Sequence, residues 1–196
     1  MVKSLLKAGL LMAALAGSAL AAQETYVVGA GGTYRPFEFE NSQKQLEGFD
    51  IDIIKAIAKA ENFNVKLVNT PWEGIFATLG SGDRDIIISG ITITDKRKQM
   101  VDFSAPYFPA EQSIVVAADS KVDSLAALKN EKVGVVNSST GDIVVSDALG
   151  KNNTAIKRFD NTPLMLQELF EDGVSAAVGD VGVVKYYIKQ HPEKQF

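Results

Sequence analysis

Arg97 occupies a position that calls for an explanation. It follows the run Ser89-Gly90-Ile91-Thr92-Ile93-Thr94-Asp95-Lys96. Thr94 reads as a helix cap there, so Arg97 falls in the first helical turn, where a cation gains nothing from the helix dipole. A bound anion supplies a reason, because the planar guanidinium pairs with a carboxylate through two parallel hydrogen bonds. A surface pair with Asp95 or Asp102 is the plainer alternative. Asp180 closes the otherwise apolar run Ala176–Gly179. A carboxylate in that place holds an ammonium group, or merely caps the next helix. Asn137-Ser138-Ser139-Thr140-Gly141 lies between a strand pattern and a helix pattern, and its backbone N–H groups can cradle an anion. Tyr34, inside Gly31-Gly32-Thr33-Tyr34-Arg35-Pro36-Phe37, and Trp72, the sole tryptophan, either pack or wall a slot for a flat, aliphatic or cationic group. An arginine and an N–H nest on one side, an aspartate on the other and aromatic walls between are complementary to a zwitterion. No set of residues combines an acid, a base and a nucleophile, so no catalytic residue is assigned.

Strands must place these residues. Thr25–Gly29, Val65–Asn69 and Asp85–Ser89 read as strands, the last as apolar and buried on both faces. Asp50–Ala60 has Ile51, Ile54, Ile57 and Ala58 at helical spacing. Thr70-Pro71-Trp72-Glu73 reads as a capping box opening a helix that ends near Gly80 and Gly82. The second half repeats the pattern. Lys132–Val136, Ala155–Phe159 and Ala176–Gly179 are strands, the turn at Ser138–Gly141 leads into a helix to about Leu149, Thr162-Pro163 starts another, and Asp180–Gln190 is a third. The apolar stretch Gln112–Ala118 joins the halves. Two β-α-β-α-β units predict an α/β fold of two lobes, each a mostly parallel sheet flanked by helices. In such sheets ligands sit beyond the carboxyl ends of the strands, which is where the residues above fall.

Composition narrows the chemistry. The 196 residues are 46% hydrophobic and 22% charged, with a net charge of −4. A mildly acidic chain with scattered charge is a poor nucleic-acid binder. There is no cysteine and the single histidine is His191, which removes disulfides, thiolate sites and cysteine nucleophiles and disfavours a serine triad or a multi-histidine metal site. No metal and no cofactor is expected. Residues 1–21 carry Lys3 and Lys7, an apolar stretch centred on Leu10–Leu15, and Ala19-Leu20-Ala21. That is the pattern of a cleavable signal peptide cut after Ala21, and with no cysteine to lipidate it predicts a soluble periplasmic protein.

The blocks GGTYRPFEF, LEGFDIDIIKAIAK and SGITITDKRKQMVDFSAPYF closely resemble the polar amino-acid family of bacterial periplasmic solute-binding proteins, which serve ABC importers and include glutamine-binding and lysine/arginine/ornithine-binding members. The likeness runs from about Tyr26 to Phe196. It implies the two-lobed type 2 periplasmic binding protein fold, with lobe 1 at 22–111 and a hinge strand plus lobe 2 at 112–196. It implies capture of a basic or glutamine-like L-amino acid by a monomer that docks on an inner-membrane ABC permease. It also implies roles. Tyr34 and Trp72 sandwich the ligand side chain, and Arg97 clamps the α-carboxylate with help from the N–H groups of Thr92 and Gly141. The Gly90 carbonyl, the Thr92 hydroxyl and Asp180 hold the α-ammonium, while Asn137 and Thr140 line the second-lobe side. A rival from the same scaffold is a cyclohexadienyl-dehydratase-like enzyme, which needs Glu73 or Asp142 as its acid or base.

Two departures stand out. Many relatives read the side chain with an aspartate where this chain has Gly31, with Glu38 and Asp142 as possible substitutes. Relatives also continue past the equivalent of Phe196 with a strand returning to lobe 1. The expectation is a truncated chain whose first lobe is incomplete, exposes apolar surface and melts below a C-terminally extended version.

Overall fold

The computed structural model describes residues 23–196; the signal-peptide reading of residues 1–21 lies outside them. In chain order the elements are strands β1 (Thr25–Ala30), β2 (Thr33–Tyr34), β3 (Glu38–Glu40) and β4 (Leu46–Glu47), helix α1 (Phe49–Ala60), β5 (Asn64–Asn69), α2 (Ile75–Gly80), β6 (Ile86–Ile87), α3 (Asp95–Lys98), β7 (Gln112–Val116), β8 (Val133–Val136), α4 (Thr140–Leu149), β9 (Ile156–Phe159), α5 (Thr162–Phe170), β10 (Ala176–Asp180) and α6 (Val181–Gln190).

Two lobes form around two sheets. In lobe 1, β5, β1 and β6 run parallel with β1 in the centre. Val28 and Ala30 of β1 bury against Ile51 and Ile54 of α1 and Ile88, so the helical spacing foreseen for α1 is the face that packs. In lobe 2 the order is β7-β10-β8-β9. The central β10 alternates across two cores: Ala177 meets Met165, Leu166 and Val184 on one face, while Ala176 and Val178 meet Val133, Val135 and Val145 on the other. This two-residue period on a strand covered by helices on both sides is what a buried central strand requires.

Several local readings are corrected. The capping box at Thr70–Glu73 does not form. Thr70 is buried, its hydroxyl donates to the Val68 carbonyl and accepts from Arg84 Nε, and α2 begins only at Ile75 after Gly74 with φ 79°. Trp72 therefore sits in a bend before the helix, not in its first turn. α5 does start at Thr162-Pro163 as read, with Asn161 as the cap, its side chain accepting from the Leu164 N–H. The joining strand ends at Val116 and is a member of the lobe 2 sheet, antiparallel to β10. The Asp85–Ser89 run pairs only at Ile86 and Ile87, which are half-buried, not enclosed on both faces. The antiparallel meander β2-β3-β4 was not foreseen, because strands of two or three residues carry no readable period.

Candidate functional site

The carboxyl ends of β1 and β5 in lobe 1 and of β8 and β10 in lobe 2 open onto one cavity of about 370 Å³ between the lobes. Of the nine residues singled out by sequence, Tyr34, Trp72, Gly90, Thr92, Arg97, Thr140 and Asp180 line it; Asn137 and Gly141 do not. Asn137 instead offers its carbonyl to Trp72 Nε1 at 2.9 Å. Gly141 is pressed against β10, where a Cβ would lie 2.7 Å from the Val178 carbonyl oxygen. Both therefore shape the second-lobe wall from behind it.

Arg97 is buried at 6% exposure. Thr94 caps α3 as expected, accepting from the Arg97 N–H. The guanidinium donates from Nη1 to the Thr92 carbonyl at 2.8 Å and from Nη2 to the Ser138 carbonyl of lobe 2 at 3.4 Å. Its carbon lies 5.2 Å from the Trp72 ring centroid and 5.5 Å from that of Phe76. Asp95 and Asp102 do not pair with it: the ion pairs among the described residues are Lys44–Glu40, Arg158–Asp142 and His191–Glu193. Burial lowers its affinity for a proton, and Asp180 and Tyr34 counter that by charge. A buried cation left without a carboxylate partner is costly unless an anion joins it, and Arg97 lines the cavity.

Asp180 sits at the N-cap position of α6 but makes no capping bond. Its carboxylate accepts from Gln112 Nε2 at 2.6 Å and from the Tyr34 hydroxyl across the cleft. Burial raises its pKa, against the hydrogen bonds of Tyr34 and Gln112 and the charge of Arg97. Gln112 also donates to the Thr140 hydroxyl at 3.1 Å, so the first residue of β7 ties two cavity residues together. Its signal in the sequence was a lone amide heading an apolar strand. Tyr34 and Trp72 share the cavity wall without stacking on each other: Tyr34 tilts against Phe37 and Trp72 meets Phe76 edge-on. The ring of Tyr34 also occupies the space above Gly90, where a Cβ would approach within 2.7 Å.

Glu38 lines the cavity, and Asp50 lies close to it on α1. Both are buried, at 1% and 0% exposure. Glu38 Oε1 accepts from the Ser89 hydroxyl at 2.7 Å, and Asp50 Oδ2 accepts from the Gly90 N–H at 2.7 Å and the Tyr107 hydroxyl at 3.0 Å. Asp142, the other suggested substitute for the missing aspartate, lies elsewhere: its two oxygens receive Arg158 Nε at 3.0 Å each, and it does not line the cavity.

Residues 26–179 match the bacterial extracellular solute-binding proteins, family 3, and the chain belongs to this family. It is 44% identical over 172 residues to a probable histidine-binding protein of Neisseria gonorrhoeae, covering 87% of this chain and 64% of the relative. It is 29% identical over 171 residues to the histidine-binding periplasmic protein of Salmonella typhimurium, covering 86% and 66%. Among solved structures, the arginine-, lysine-, histidine-binding protein ArtJ from the thermophile Geobacillus stearothermophilus superimposes with a TM-score of 0.83 at 39% identity, covering 88% of this chain and 74% of that one. The chain thus spans about two thirds of the length of the curated relatives it matches.

Proposed function

We propose that this chain captures a free polar L-amino acid between its two lobes, as the periplasmic binding component of an ABC importer. The observation that carries the reading is Arg97, a buried guanidinium without a carboxylate partner among the described residues, on the same cavity as the carboxylate of Asp180. An α-carboxylate on Arg97 and an α-ammonium on Asp180 use both ends of that field, with Thr92 and Gly90 beside them. The names of the relatives, which bind histidine, arginine or lysine, support a basic ligand. The same names support a periplasmic location, and capture by a monomer followed by docking of the closed lobes on an inner-membrane permease is the corresponding mode of action. The dehydratase reading loses Asp142, which is held by Arg158 away from the cavity.

Arg97→Ala tests the proposal. Two charge-assisted hydrogen bonds at about 1.5–3 kcal/mol each predict a loss of affinity of roughly 100-fold or more. Calorimetric titration with L-arginine, L-lysine and L-histidine should show binding by the parent chain and none by the variant; retained affinity refutes the clamp.

A further inference from the structure

Trp72 and Arg97 both reach across the cleft, and both land on one corner of lobe 2. Trp72 Nε1 donates to the Asn137 carbonyl at 2.9 Å and Arg97 Nη2 to the Ser138 carbonyl at 3.4 Å. The corner joins β8 to α4, and Ser138 takes φ 59° there, in the left-handed region. A residue with a Cβ is disfavoured in that region, so a contact must hold it. Asp142 provides one. Its Oδ2 accepts from the Ser138 N–H at 3.0 Å, while its own N–H donates to the Ser139 hydroxyl at 3.2 Å. This is a capping box shifted by one residue: the acid at the third helical position reaches past the cap to the residue before it. In a trans peptide the N–H and the C=O point opposite ways. The carboxylate on the Ser138 N–H therefore turns the Asn137 carbonyl away from α4, towards Trp72.

We propose that Asp142 is a positioning residue for ligand capture: together with Arg158 it locks the Asn137–Ser138 corner, so that lobe 2 presents two aimed carbonyls to Trp72 and Arg97. This role rests on the amino-acid-capture reading above and adds the group that sets lobe 2 for it. Asp142 does not line the cavity, so it acts through the corner. Arg158 Nε donates to both of its oxygens at 3.0 Å each, and the Ser146 hydroxyl donates to Oδ1 at 2.9 Å. Arg158 is itself tied to the Lys151 carbonyl at 3.1 Å and stands on β9 in register with Val135 of β8. The corner is thus fastened to the sheet as well as to the helix. Burial works against the charge of Asp142, but Arg158, the Ser138 N–H and Ser146 outweigh it and keep the acceptor ionised. Without that acceptor Ser138 relaxes from the left-handed region. The peptide planes on either side of it then swing, and both lobe 1 donors lose their partners together. Arg97 keeps only the Thr92 carbonyl on its own lobe, and its guanidinium is no longer held in one plane for an incoming carboxylate.

A rescue experiment separates positioning from mere structure. Glycine enters the left-handed region without penalty, so Ser138→Gly added to Asp142→Ala restores the corner but not the carboxylate. Trp72, the sole tryptophan, reports the corner in the ligand-free chain. Asp142→Ala should make its fluorescence more readily quenched by acrylamide and weaken L-arginine binding by about 5-fold or more in titration calorimetry. The double variant should return quenching and affinity to near the parent values while its melting temperature stays lowered, because Arg158 still lacks its partner. Unchanged quenching and affinity in Asp142→Ala overturn the proposal. So does a loss that Ser138→Gly leaves unrepaired, or affinity and melting temperature recovering together, since Asp142 would then act through the fold alone. Should Asp142→Ala not fold, Asp142→Asn, which keeps the shape and loses the charge, is judged by the same outcomes. If the parent chain binds none of L-arginine, L-lysine and L-histidine, the capture reading falls by itself, and the quenching of the ligand-free chains still decides whether Asp142 sets the corner.

Discussion

Tyr34 is placed by the sequence in the cavity, yet its work there differs from that of a simple wall. Its hydroxyl donates to Asp180, so in the ligand-free chain it occupies the carboxylate on which an α-ammonium would sit. An incoming ammonium must displace it. Tyr34→Phe removes the competitor while leaving the ring, and Gln112 still serves the other oxygen of Asp180. One net hydrogen bond is worth about 0.5–1.5 kcal/mol, so the variant should bind basic amino acids a few-fold more tightly by calorimetry; a tenfold loss would mean that the hydroxyl serves the ligand instead. Arg97, Asp180, Tyr34 and Trp72 were legible because each follows a strand and is chemically out of place in a loop or helix start. Glu38 was hidden. It lies in a three-residue strand flanked by phenylalanines, where nothing in the spacing separates a buried acid from a solvated one, and only the geometry around Ser89 reveals what it faces.

At the scale of elements, the long periodic pieces were readable and the short ones were not. The helical spacing of α1 and the apolar runs of β8 and β10 are set by burial, which leaves a periodic trace. The bend at Pro71–Gly74 is set by tertiary contacts of Thr70 with Val68 and Arg84, and these override the local capping preference. The join between the meander and α1 shows how tightly such short pieces are held. Gly48 adopts φ 124°, and a Cβ there would lie 2.3 Å from the Phe37 carbonyl oxygen. The same turn brings the Asp50 N–H to that oxygen at 2.9 Å, fixing α1 against the segment that carries Glu38. Gly48→Ala should cost at least the strain of a disfavoured backbone region, about 1–3 kcal/mol, and weaken ligand binding as well. Urea unfolding checks the first part; a loss below about 0.5 kcal/mol would show that the turn has room to relax.

At the scale of the whole molecule, the buried acids are of two kinds: Glu38, Asp50 and Asp180 favour their protons, and Asp142 rejects its own. The two-lobed plan and the cavity between the sheets followed from strand and helix alternation, but this division depends on which carboxylates find donors, and that is written only in three dimensions. Glu38, Asp50 and Asp180 have their pKa raised, in each case first by burial. A raised group contributes stability that is full below the unfolded value, about 4 for carboxylates, and is lost as pH climbs through its folded value. Asp142 runs the other way. Burial would raise it, but the hydrogen bonds of Arg158, the Ser138 N–H and Ser146 outweigh burial and hold it low. Its contribution is present above the unfolded value and lost as pH falls through the folded one. The two signs together place maximum stability of the ligand-free chain near the unfolded carboxylate value, about pH 4, with melting temperature falling towards both neutral-to-alkaline and strongly acidic pH. Each kcal/mol moves the melting temperature of a chain this size by about 2–4 °C, so the slopes are measurable. Glu38→Gln should flatten the fall above the optimum and leave the acid limb intact, whereas Asp142→Asn should lower stability at neutral pH and flatten the acid limb. Thermal melts of the three proteins from strongly acidic to alkaline pH decide this, and parallel curves for Glu38→Gln and the parent would show that the alkaline limb does not come from Glu38.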